Sequence, residues 1–307
     1  MQATPLGTLE ELNHIAKAAA EPWQISADKR SFTGHLICGP ARGTRDLMKI
    51  TTWNINGVKA RLENAVAYLK QESPDVVCFQ EIKSVDEGFP REAFEDLGYN
   101  VATHGQKGFN GVAILSKSPL EDVTRGLPGD DADPQARWIE ALVPCGKKMI
   151  RVVSLYLPNG NPIGTEKFAY KLAWMERLKA HARELIKDET PLVLAGDFNV
   201  IPEPRDAKRP EAWTGDALFQ PESRRALRSL TGLGLTDAIR AAHPQSHVYT
   251  FWDYQAGAFQ KDDGIRIDHI LLSSQAADMM ASSGIDRFTR GWEKPSDHVP
   301  VWVELAT

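Results

Sequence analysis

The stretch Lys294-Pro295-Ser296-Asp297-His298-Val299-Pro300-Val301, close to the C-terminus, places an acid directly before a histidine and ahead of an apolar run over 299–303 that predicts a strand. A histidine held by a carboxylate keeps a positive charge or a fixed tautomer near neutral pH. Both states suit chemistry on an anionic group such as phosphate. An isolated Ser-Asp-His is more often a turn before a strand. The functional interpretation is favoured here because other polar residues follow predicted strands far away in the sequence.

The composition over 307 residues is typical of one large globular domain or two small ones. Hydrophobic residues make up 42% and charged residues 25%, and no apolar run is long enough to span a membrane. The three cysteines, Cys38, Cys78 and Cys145, include no CxxC pair, which argues against a disulfide framework or a zinc site. A reducing cytoplasm is therefore expected. The net charge of −5 shows no overall basic character, but a local basic rim or bound metal ions can still attract nucleic acid.

Residues 1–47 differ from the rest of the chain. They are rich in Pro, Gly, Ser and Ala, with one helical candidate over 9–20. Their five basic and five acidic side chains cancel, so residues 48–307 carry the whole net charge of −5. The segment has no apolar core of a signal peptide. We expect a poorly ordered N-terminal extension over 1–47 and a catalytic domain over 48–307.

From residue 49 onward the apolar pattern becomes regular. A strand over 50–55 is followed by helical spacing at Val58, Leu62, Val66 and Leu69 and by a second strand over 75–79. A long helix is predicted over 166–187. Further strands are predicted over 111–115, 138–143, 149–157, 191–195, 249–252, 265–272 and 299–303. Alternating units combined with β-rich blocks predict two packed sheets covered by helices.

Polar residues follow several of these strands, and most of them are acids or amides. Acids in such numbers at neighbouring strand ends repel one another unless a cation lies among them. Oxygen and imidazole donors without a thiolate favour Mg²⁺ or Mn²⁺ over zinc. The residues concerned are Asn54, Glu81, Asp197, Asn199, Asp268, Asp297 and His298.

An ordered set of short motifs resembles the exonuclease III family of apurinic/apyrimidinic (AP) endonucleases, within the endonuclease/exonuclease/phosphatase superfamily. The set spans residues 48–307 in the family's order, and residues 1–47 lie outside it. Each motif alone is weak evidence, but the ordered set is specific. The motifs are Thr52-Trp53-Asn54-Ile55-Asn56-Gly57, Gln80-Glu81-Ile82-Lys83, His104-Gly105-Gln106-Lys107-Gly108, Gly196-Asp197-Phe198-Asn199, Tyr249-Thr250-Phe251-Trp252-Asp253-Tyr254, Arg266-Ile267-Asp268-His269 and Lys294-Pro295-Ser296-Asp297-His298.

The resemblance implies a fold and an activity. The fold is an α/β (α+β) four-layer αββα sandwich, in which two packed mixed β-sheets are flanked by helices. The activity is that of a Mg²⁺-dependent DNA-repair phosphodiesterase, with Mn²⁺ as a substitute, which cleaves duplex DNA on the 5′ side of abasic sites. It also implies 3′→5′ exonuclease activity and trimming of blocked 3′ ends. We expect a monomer that acts on double-stranded DNA in the cytoplasm, associated with the nucleoid, and not on membranes.

The resemblance also implies residue roles. Glu81 is expected to be the main metal ligand, Asp197 to orient or deprotonate the attacking water, and His298, oriented by Asp297, to stabilise charge in the transition state. Whether Asp268 contacts the metal or the histidine stays open. The implied catalytic set is Tyr156, Asp197, Asn199, Asp268, Asp297 and His298, and the implied metal set is Asn54, Glu81, Asp197, Asn199, Asp297 and His298.

Substrate recognition is carried over in the same way. Asn159 is expected to add an amide near the phosphate, and loop residues Lys107, Asn110 and Arg61 to meet DNA phosphates. The pocket for a flipped abasic sugar corresponds to Phe251, Ile265 and Ile267, with Trp252 packed beneath it; His269 is expected to be structural because it points to the opposite face of its strand.

Two alternatives stay open at this point. One is a phosphatase or deadenylase with the same core, which the Gln106-Lys107-Gly108 loop and the Phe251-Trp252 segment disfavour. The other is an inactive DNA-binding or scaffold protein, which the intact acids and His298 disfavour.

Overall fold

The computed structural model describes residues 46–245 and 247–307. Nearly all of the expected N-terminal extension, including the helical candidate over 9–20, lies outside the described residues. The first strand already includes Leu47, and the carbonyl of Asp46 accepts hydrogen bonds from the backbone N–H and the hydroxyl of Thr307, both at 3.0 Å. Residues just before the expected boundary at Met48 therefore pair with the C-terminus.

The described chain forms two six-stranded sheets, each with parallel and antiparallel pairs. The first sheet has the strand order β11-β12-β1-β2-β4-β3, and the second has the order β5-β6-β7-β8-β10-β9. The strands are β1 Leu47–Asn54, β2 Val76–Gln80, β3 Asn100–His104, β4 Val112–Ser116, β5 Glu121–Arg125, β6 Trp138–Cys145, β7 Lys148–Tyr156, β8 Leu192–Asp197, β9 Thr236–Asp237, β10 Asp268–Leu272, β11 Met280–Ile285 and β12 Val301–Ala306.

Helices cover these sheets. The long helix predicted over 166–187 has those same bounds, because one face carries large apolar residues at helical spacing, among them Trp174, Leu178 and Leu185. The α-helices in the described residues are α1 Leu62–Glu72, α2 Arg91–Glu95, α3 Glu166–Lys187, α4 Pro221–Thr231, α5 Ala238–Ala242 and α6 Ser274–Ala277, and short 3₁₀ turns lie at Asp86–Gly88, Pro204–Asp206, Pro210–Trp213 and Arg287–Gly291.

Three apolar layers hold the domain together. Between the sheets pack residues such as Ile50, Val193 and Ile270. Outside the first sheet, Tyr68 of α1 packs with strand residues such as Trp53. The third layer joins α3 to the second sheet, and every residue of the central strands β2, β4, β8 and β10 is buried. Full burial of one Leu or Ile contributes ~1.5–3 kcal/mol. The predicted arrangement of two mixed sheets flanked by helices is confirmed.

The strand predicted over 249–252 is wrong. Phe251 instead makes isolated bridges to Ile265 and His298. The hydroxyl of Thr250 accepts hydrogen bonds from the backbone N–H groups of Ile267 and Asp268, at 3.1 and 3.2 Å. This side chain replaces ladder partners, so β10 begins at Asp268 rather than at residue 265. The segment therefore bends across the strand end and brings Phe251 to His298.

Strand register brings the polar residues together. Asn54 ends β1 beside Gln80 of the parallel β2, and Tyr156 ends β7 beside Asp197 of the parallel β8. The antiparallel β10 places Asp268 opposite Asp197. The polar strand ends of both sheets thus meet at one edge of the sandwich. Within the described residues no helix is long and apolar enough to cross a membrane.

Candidate active site

Asn54 links the two sheets at this edge. Its amide nitrogen donates to Asp197 Oδ2 at 3.0 Å and to Glu81 Oε1 at 3.1 Å, while its Oδ1 accepts from the backbone of Asn56 at 3.1 Å. Asn54 and Asp197 are almost fully buried. The side chain predicted as a metal ligand therefore acts in this arrangement as a spacer that holds two carboxylates apart.

The acid that holds His298 is Asp268. Asp268 Oδ2 lies 2.8 Å from His298 Nδ1, and His298 Nε2 lies 3.8 Å from Asp197 Oδ2. The expectation that Asp297 orients His298 is wrong, because Asp297 Oδ1 instead accepts from Asn56 Nδ2 at 3.0 Å. Adjacent side chains of an extended segment point in opposite directions, so Asp297 and His298 diverge.

The ionisation of this pair follows from burial and charge. Burial alone would lower the pKa of His298, but Asp268 and Asp197 outweigh it and raise the pKa to about 10. Burial raises the pKa of Asp197 to about 7, against the opposing charge of His298. A protonated imidazole has no free lone pair. In this state His298 donates from both ring nitrogens and can stabilise anionic charge, and its place in the metal set stays a prediction.

Glu81 is held by a lysine that the sequence reasoning did not single out. Lys83 Nζ lies 2.8 Å from Glu81 Oε2 and 2.5 Å from Asn56 Oδ1. Burial would raise the pKa of Glu81, but Lys83 outweighs it and holds the pKa below its usual value. Asn56, Glu81 and Lys83 all have positive φ angles, at 48°, 48° and 49°. Left-handed backbone after the ends of β1 and β2 therefore brings these side chains together, which neither strand nor helix periodicity could reveal.

The β8 end is joined to the loop after β7 by amide groups. Asn199 accepts on its Oδ1 from Asn159 Nδ2 at 3.1 Å, and its backbone N–H donates to Asp197 Oδ1 at 2.9 Å. The Asn199 amide nitrogen donates to the carbonyl of Leu157 at 2.9 Å. Gly196 permits the close approach of β8 to β7, because a Cβ at this position would collide with the backbone of Leu155. The predicted residues Asn159, Asp197 and Asn199 therefore form one connected unit.

Tyr156 lies at the same edge. Burial raises the pKa of Tyr156 well above its usual value, with Glu81 and Asp197 adding to the shift, so the phenol keeps its proton and can donate it in a hydrogen bond. The guanidinium of Arg137 stacks 4.8 Å from the centre of the Tyr156 ring and donates to the Tyr156 carbonyl at 3.2 Å. Arg137 was not anticipated from the sequence.

The site has the composition of a cation site. Asp197, Asp268 and His298 each offer a ligand atom, and these atoms lie within 4.8 Å of one another. Asp268 Oδ1 is buried and has no hydrogen-bond partner among the described residues. Because the donors are mainly carboxylate oxygens and the described site residues include no thiol, the arrangement fits a hard divalent cation.

The predicted sugar-pocket residues come together in one apolar cluster. Ile265 and Ile267 are buried, and the half-buried ring of Phe251 lies 5.0 Å from the ring of His298, edge to face. Phe251 and Ile265 line a cavity of about 360 Å³ together with Trp213, which the sequence reasoning missed. Ile267 does not line this cavity. Trp252 is buried in a separate apolar cluster with Tyr249, Ala258 and Val299, and its place beneath the pocket stays a prediction.

The predicted DNA-contact residues differ in their surroundings. Lys107 is exposed, next to Phe109, whose side chain is 56% exposed. Asn110 is only 4% exposed, and its amide donates to Gln106 at 3.0 Å and to Gln135 at 3.2 Å. Its amide is thus engaged within the protein, and its contact with DNA phosphate stays a prediction. Asn110 has a φ of 54° and lies just before β4, and its side-chain amide links the loop that contains Gln106 to the segment that contains Gln135.

Two further side chains are internally engaged. Arg61 donates to the carbonyl of Asn56 at 2.5 Å and to the hydroxyl of Tyr254 at 3.1 Å. His269 lies buried on the opposite face of β10 from Asp268, where its Nδ1 accepts from Arg266 at 2.9 Å and its Nε2 donates to the carbonyl of Val200 at 3.1 Å. The prediction that His269 is structural is confirmed.

Comparison with known proteins gives consistent matches. Residues 51–298 match the endonuclease/exonuclease/phosphatase family. The chain is 37% identical over 266 residues to exodeoxyribonuclease III of Haemophilus influenzae, covering 84% of this chain and 100% of that protein. It is 32% identical over 265 residues to the DNA repair nuclease APEX1 of Danio rerio, covering 84% of this chain and 82% of that protein.

Solved structures agree with these matches. An AP endonuclease from Archaeoglobus fulgidus superposes with a TM-score of 0.81 at 37% identity, covering 85% of this chain and 100% of that chain. The 3′ phosphatase NExo from Neisseria, bound to a product DNA hairpin, superposes with a TM-score of 0.81 at 39% identity, covering 84% and 99% of the two chains.

Proposed function

Because the chain belongs to the endonuclease/exonuclease/phosphatase family and is a hydrolytic DNA-repair nuclease, we propose that it cleaves duplex DNA on the 5′ side of abasic sites with Mg²⁺ as its cofactor. We further propose that it acts as a monomer and removes nucleotides and blocking groups from 3′ ends. The observation that carries the proposal is the constellation of Asp268, His298 and Asp197 at the strand ends, beside the cavity lined by Phe251.

His298 has the properties of a phosphate-binding cation. Its Nδ1–H is taken by Asp268, so its Nε2–H faces the space beside Asp197. A fixed positive charge in a buried setting stabilises the extra negative charge that develops on a phosphoryl oxygen during hydrolysis. The protonated phenol of Tyr156 is a second donor at the same edge.

Asp197 has the properties of a general base. A carboxylate is most effective in this role when its pKa lies near the working pH, and burial raises the pKa of Asp197 to about 7. The hydrogen bonds from Asn54 and from the Asn199 backbone leave the carboxylate in a single orientation. Asp197 would take a proton from the attacking water as the water oxygen bonds to phosphorus. The bond from phosphorus to the 3′ oxygen would break, and that oxygen would take up a proton from solvent to leave as a 3′-hydroxyl.

Glu81 and Asp268 are the residues we assign to hold the divalent cation: Asp268 belongs to the cluster of donor atoms described above, and Glu81 is joined to Asp197 of that cluster through Asn54. Glu81 is ionised and Asp268 has an unpartnered buried oxygen, so both fit a hard cation. When bound, a Mg²⁺ ion polarises a phosphoryl oxygen and offsets its charge. The Lys83 ammonium on Glu81 offsets the charge of this acid in the same region.

The cavity lined by Phe251 supplies the preference for abasic DNA, and its lining combines apolar residues with charged ones such as Arg209 and Asp253. A nucleotide without its base loses stacking and pairing, so extruding it from the duplex costs least, and a small apolar pocket accepts the bare sugar while excluding a base. Phe251 and Ile265 form the apolar side of the cavity, and the ring of Phe251 touches that of His298. This contact supports a sugar pocket directly beside the proposed catalytic centre.

Matched duplexes with an abasic analogue, with an intact strand, and with a 3′-phosphate at a nick test this proposal. The enzyme should cleave the abasic duplex with Mg²⁺ and lose all activity with a chelator. Phe251→Ala should lower the kcat/KM ratio of abasic to intact duplex, while Phe288→Ala, which alters an exposed phenylalanine outside the cavity, should leave it unchanged. Removal of the 3′-phosphate without incision at the abasic site would instead make this a 3′-end-processing enzyme, like the similar NExo.

A further inference from the structure

Lys171 is a buried lysine that the chemistry described above does not use. It lies on α3 with no exposed surface, and its Nζ donates to the carbonyl of Asn199 at 2.6 Å and to the carbonyl of Asn159 at 3.0 Å. No ion pair within 4.0 Å joins it to a carboxylate of the described residues. Asp197 and Asp216 act on it only at longer range.

Burying an amine at this position costs free energy that an apolar residue would not cost, so its hydrogen bonds must contribute to the fold or to function. Neighbouring inward-facing positions of α3 are apolar, among them Trp174, Met175 and Leu178, and an apolar residue would continue that face. Taking an ammonium group out of water costs several kcal/mol by order of magnitude. Burial lowers the pKa of Lys171 to about 7, yet the amine donates hydrogen bonds in both protonation states. The contact geometry therefore does not depend on its charge.

The loop after β7 is packed directly on the stem of this lysine. A Cβ at Gly160 would lie 2.6 Å from Lys171 Cδ, and Gly160 has a φ of +90°, which L side chains rarely adopt. The turn next to Asn159 is thus shaped by close contact with Lys171. The other carbonyl that Lys171 binds belongs to Asn199, whose side chain receives the Asn159 amide.

We propose that Lys171 is a positioning residue that sets the spacing between the Asn159 and Asn199 loops, so that both amides and Asp197 are aligned on the same phosphate group. It touches neither substrate nor water. The two carbonyls on Nζ join the loop after β7 and the end of β8 to one fixed point on α3, and Asn199 passes this alignment to Asp197 through its backbone N–H, 2.9 Å from Asp197 Oδ1. This inference rests on the proposed phosphodiesterase site.

Lys171→Met tests the role because methionine keeps the length and packing of the stem but donates no hydrogen bond. A misplacement of about 1 Å in an aligned site costs roughly 10²-fold in rate, so we expect the single-turnover rate to fall about 10–10²-fold. KM for DNA should stay within about twofold, since the pocket and the exposed loop that carries Lys107 do not touch Lys171. Lys179→Met, on the same helix but paired at the surface with Glu176, is the matched control and should keep the parent rate.

Gly160→Ala provides a second test that does not remove the buried amine. Its Cβ pushes on Lys171 Cδ, so it should lower the rate with an unchanged KM in the same way. Rates are measured per folded molecule, with circular dichroism melts for each variant, on a DNA substrate that the parent cleaves. A parent-like rate in either folded variant would overturn the proposal, as would a loss confined to the melting temperature. Failure of the parent itself to cleave abasic duplex would count against the proposed function, not against this role.

Discussion

Replacing Asp268 by asparagine should separate the two acids that the sequence left as candidates for holding His298. Asp268 Oδ2 lies 2.8 Å from His298 Nδ1, whereas Asp297 faces Asn56 at 3.0 Å. The introduced amide would keep the size of the side chain but carry no charge. The imidazole would then lose the group that keeps it protonated, because burial alone lowers the pKa of His298.

The size of the effect follows from the contacts that are lost. A hydrogen bond to a charged group contributes about 1.5–3 kcal/mol, and two are affected: the one that His298 Nδ1–H donates to Asp268, and the proposed one that His298 Nε2–H donates to the phosphate. A total of roughly 3–6 kcal/mol corresponds to about 10²–10⁴ in rate, since each ~1.4 kcal/mol is tenfold. Asp297→Asn loses one hydrogen bond near the surface and should cost about tenfold or less.

The assay is single-turnover cleavage of an abasic-analogue duplex near neutral pH, with saturating enzyme and a series of Mg²⁺ concentrations. Melting curves of both variants correct for any unfolded fraction. An equal or larger loss in Asp297→Asn would refute the assignment of Asp268 as the partner of His298. Recovery of Asp268→Asn to the parent rate at high Mg²⁺ would assign Asp268 to the metal alone.

Three further predictions concern the metal, the boundary and the response to acid. Glu81→Gln should raise the Mg²⁺ concentration for half-maximal rate by about tenfold or more, as loss of one charged ligand implies, and an unchanged Mg²⁺ titration would remove Glu81 from the metal site. A chain starting at Met48 should retain the parent's activity but melt slightly lower, because the lost carbonyl of Asp46 accepts two hydrogen bonds; a loss of activity would contradict a catalytic domain over 48–307. Burial raises the pKa of Asp206, but the charge of Arg266 outweighs burial and holds that pKa below its usual value. The ionised Asp206 therefore stabilises the fold above about pH 4, and this stabilisation is lost as the pH falls through the folded-state pKa. Asp206→Asn should therefore lower the midpoint of urea unfolding at neutral pH and reduce the difference between the midpoints at neutral and at acidic pH. An unchanged difference would contradict this role of Asp206.

Local patterns in the sequence determined the layers of this fold. The 3.6-residue spacing on α3 reports one buried face, and the continuous apolar run that forms β8 reports a strand covered on both sides. Both patterns depend only on residues within the same element, so they can be recognised in the sequence without knowledge of the tertiary structure. The order of the short motifs added the family resemblance, which placed Asp197 and His298 in one site.

Contacts between distant segments were decided only by the tertiary structure. Asp268 rather than Asp297 meets His298 because β10 lies beside β8 in a register that places Asp268 opposite Asp197, and because consecutive side chains of an extended segment diverge. Contacts with other segments also decide the positions of Asn110, whose amide bonds to Gln106, and of Lys171, which bonds to the loops of Asn159 and Asn199. A side chain's partner depends on which strand ends the sheets bring together and on backbone turns with positive φ. Neither is encoded in the spacing of residues along one element, so the residue types of the site were predictable from the sequence while several of their pairings were not.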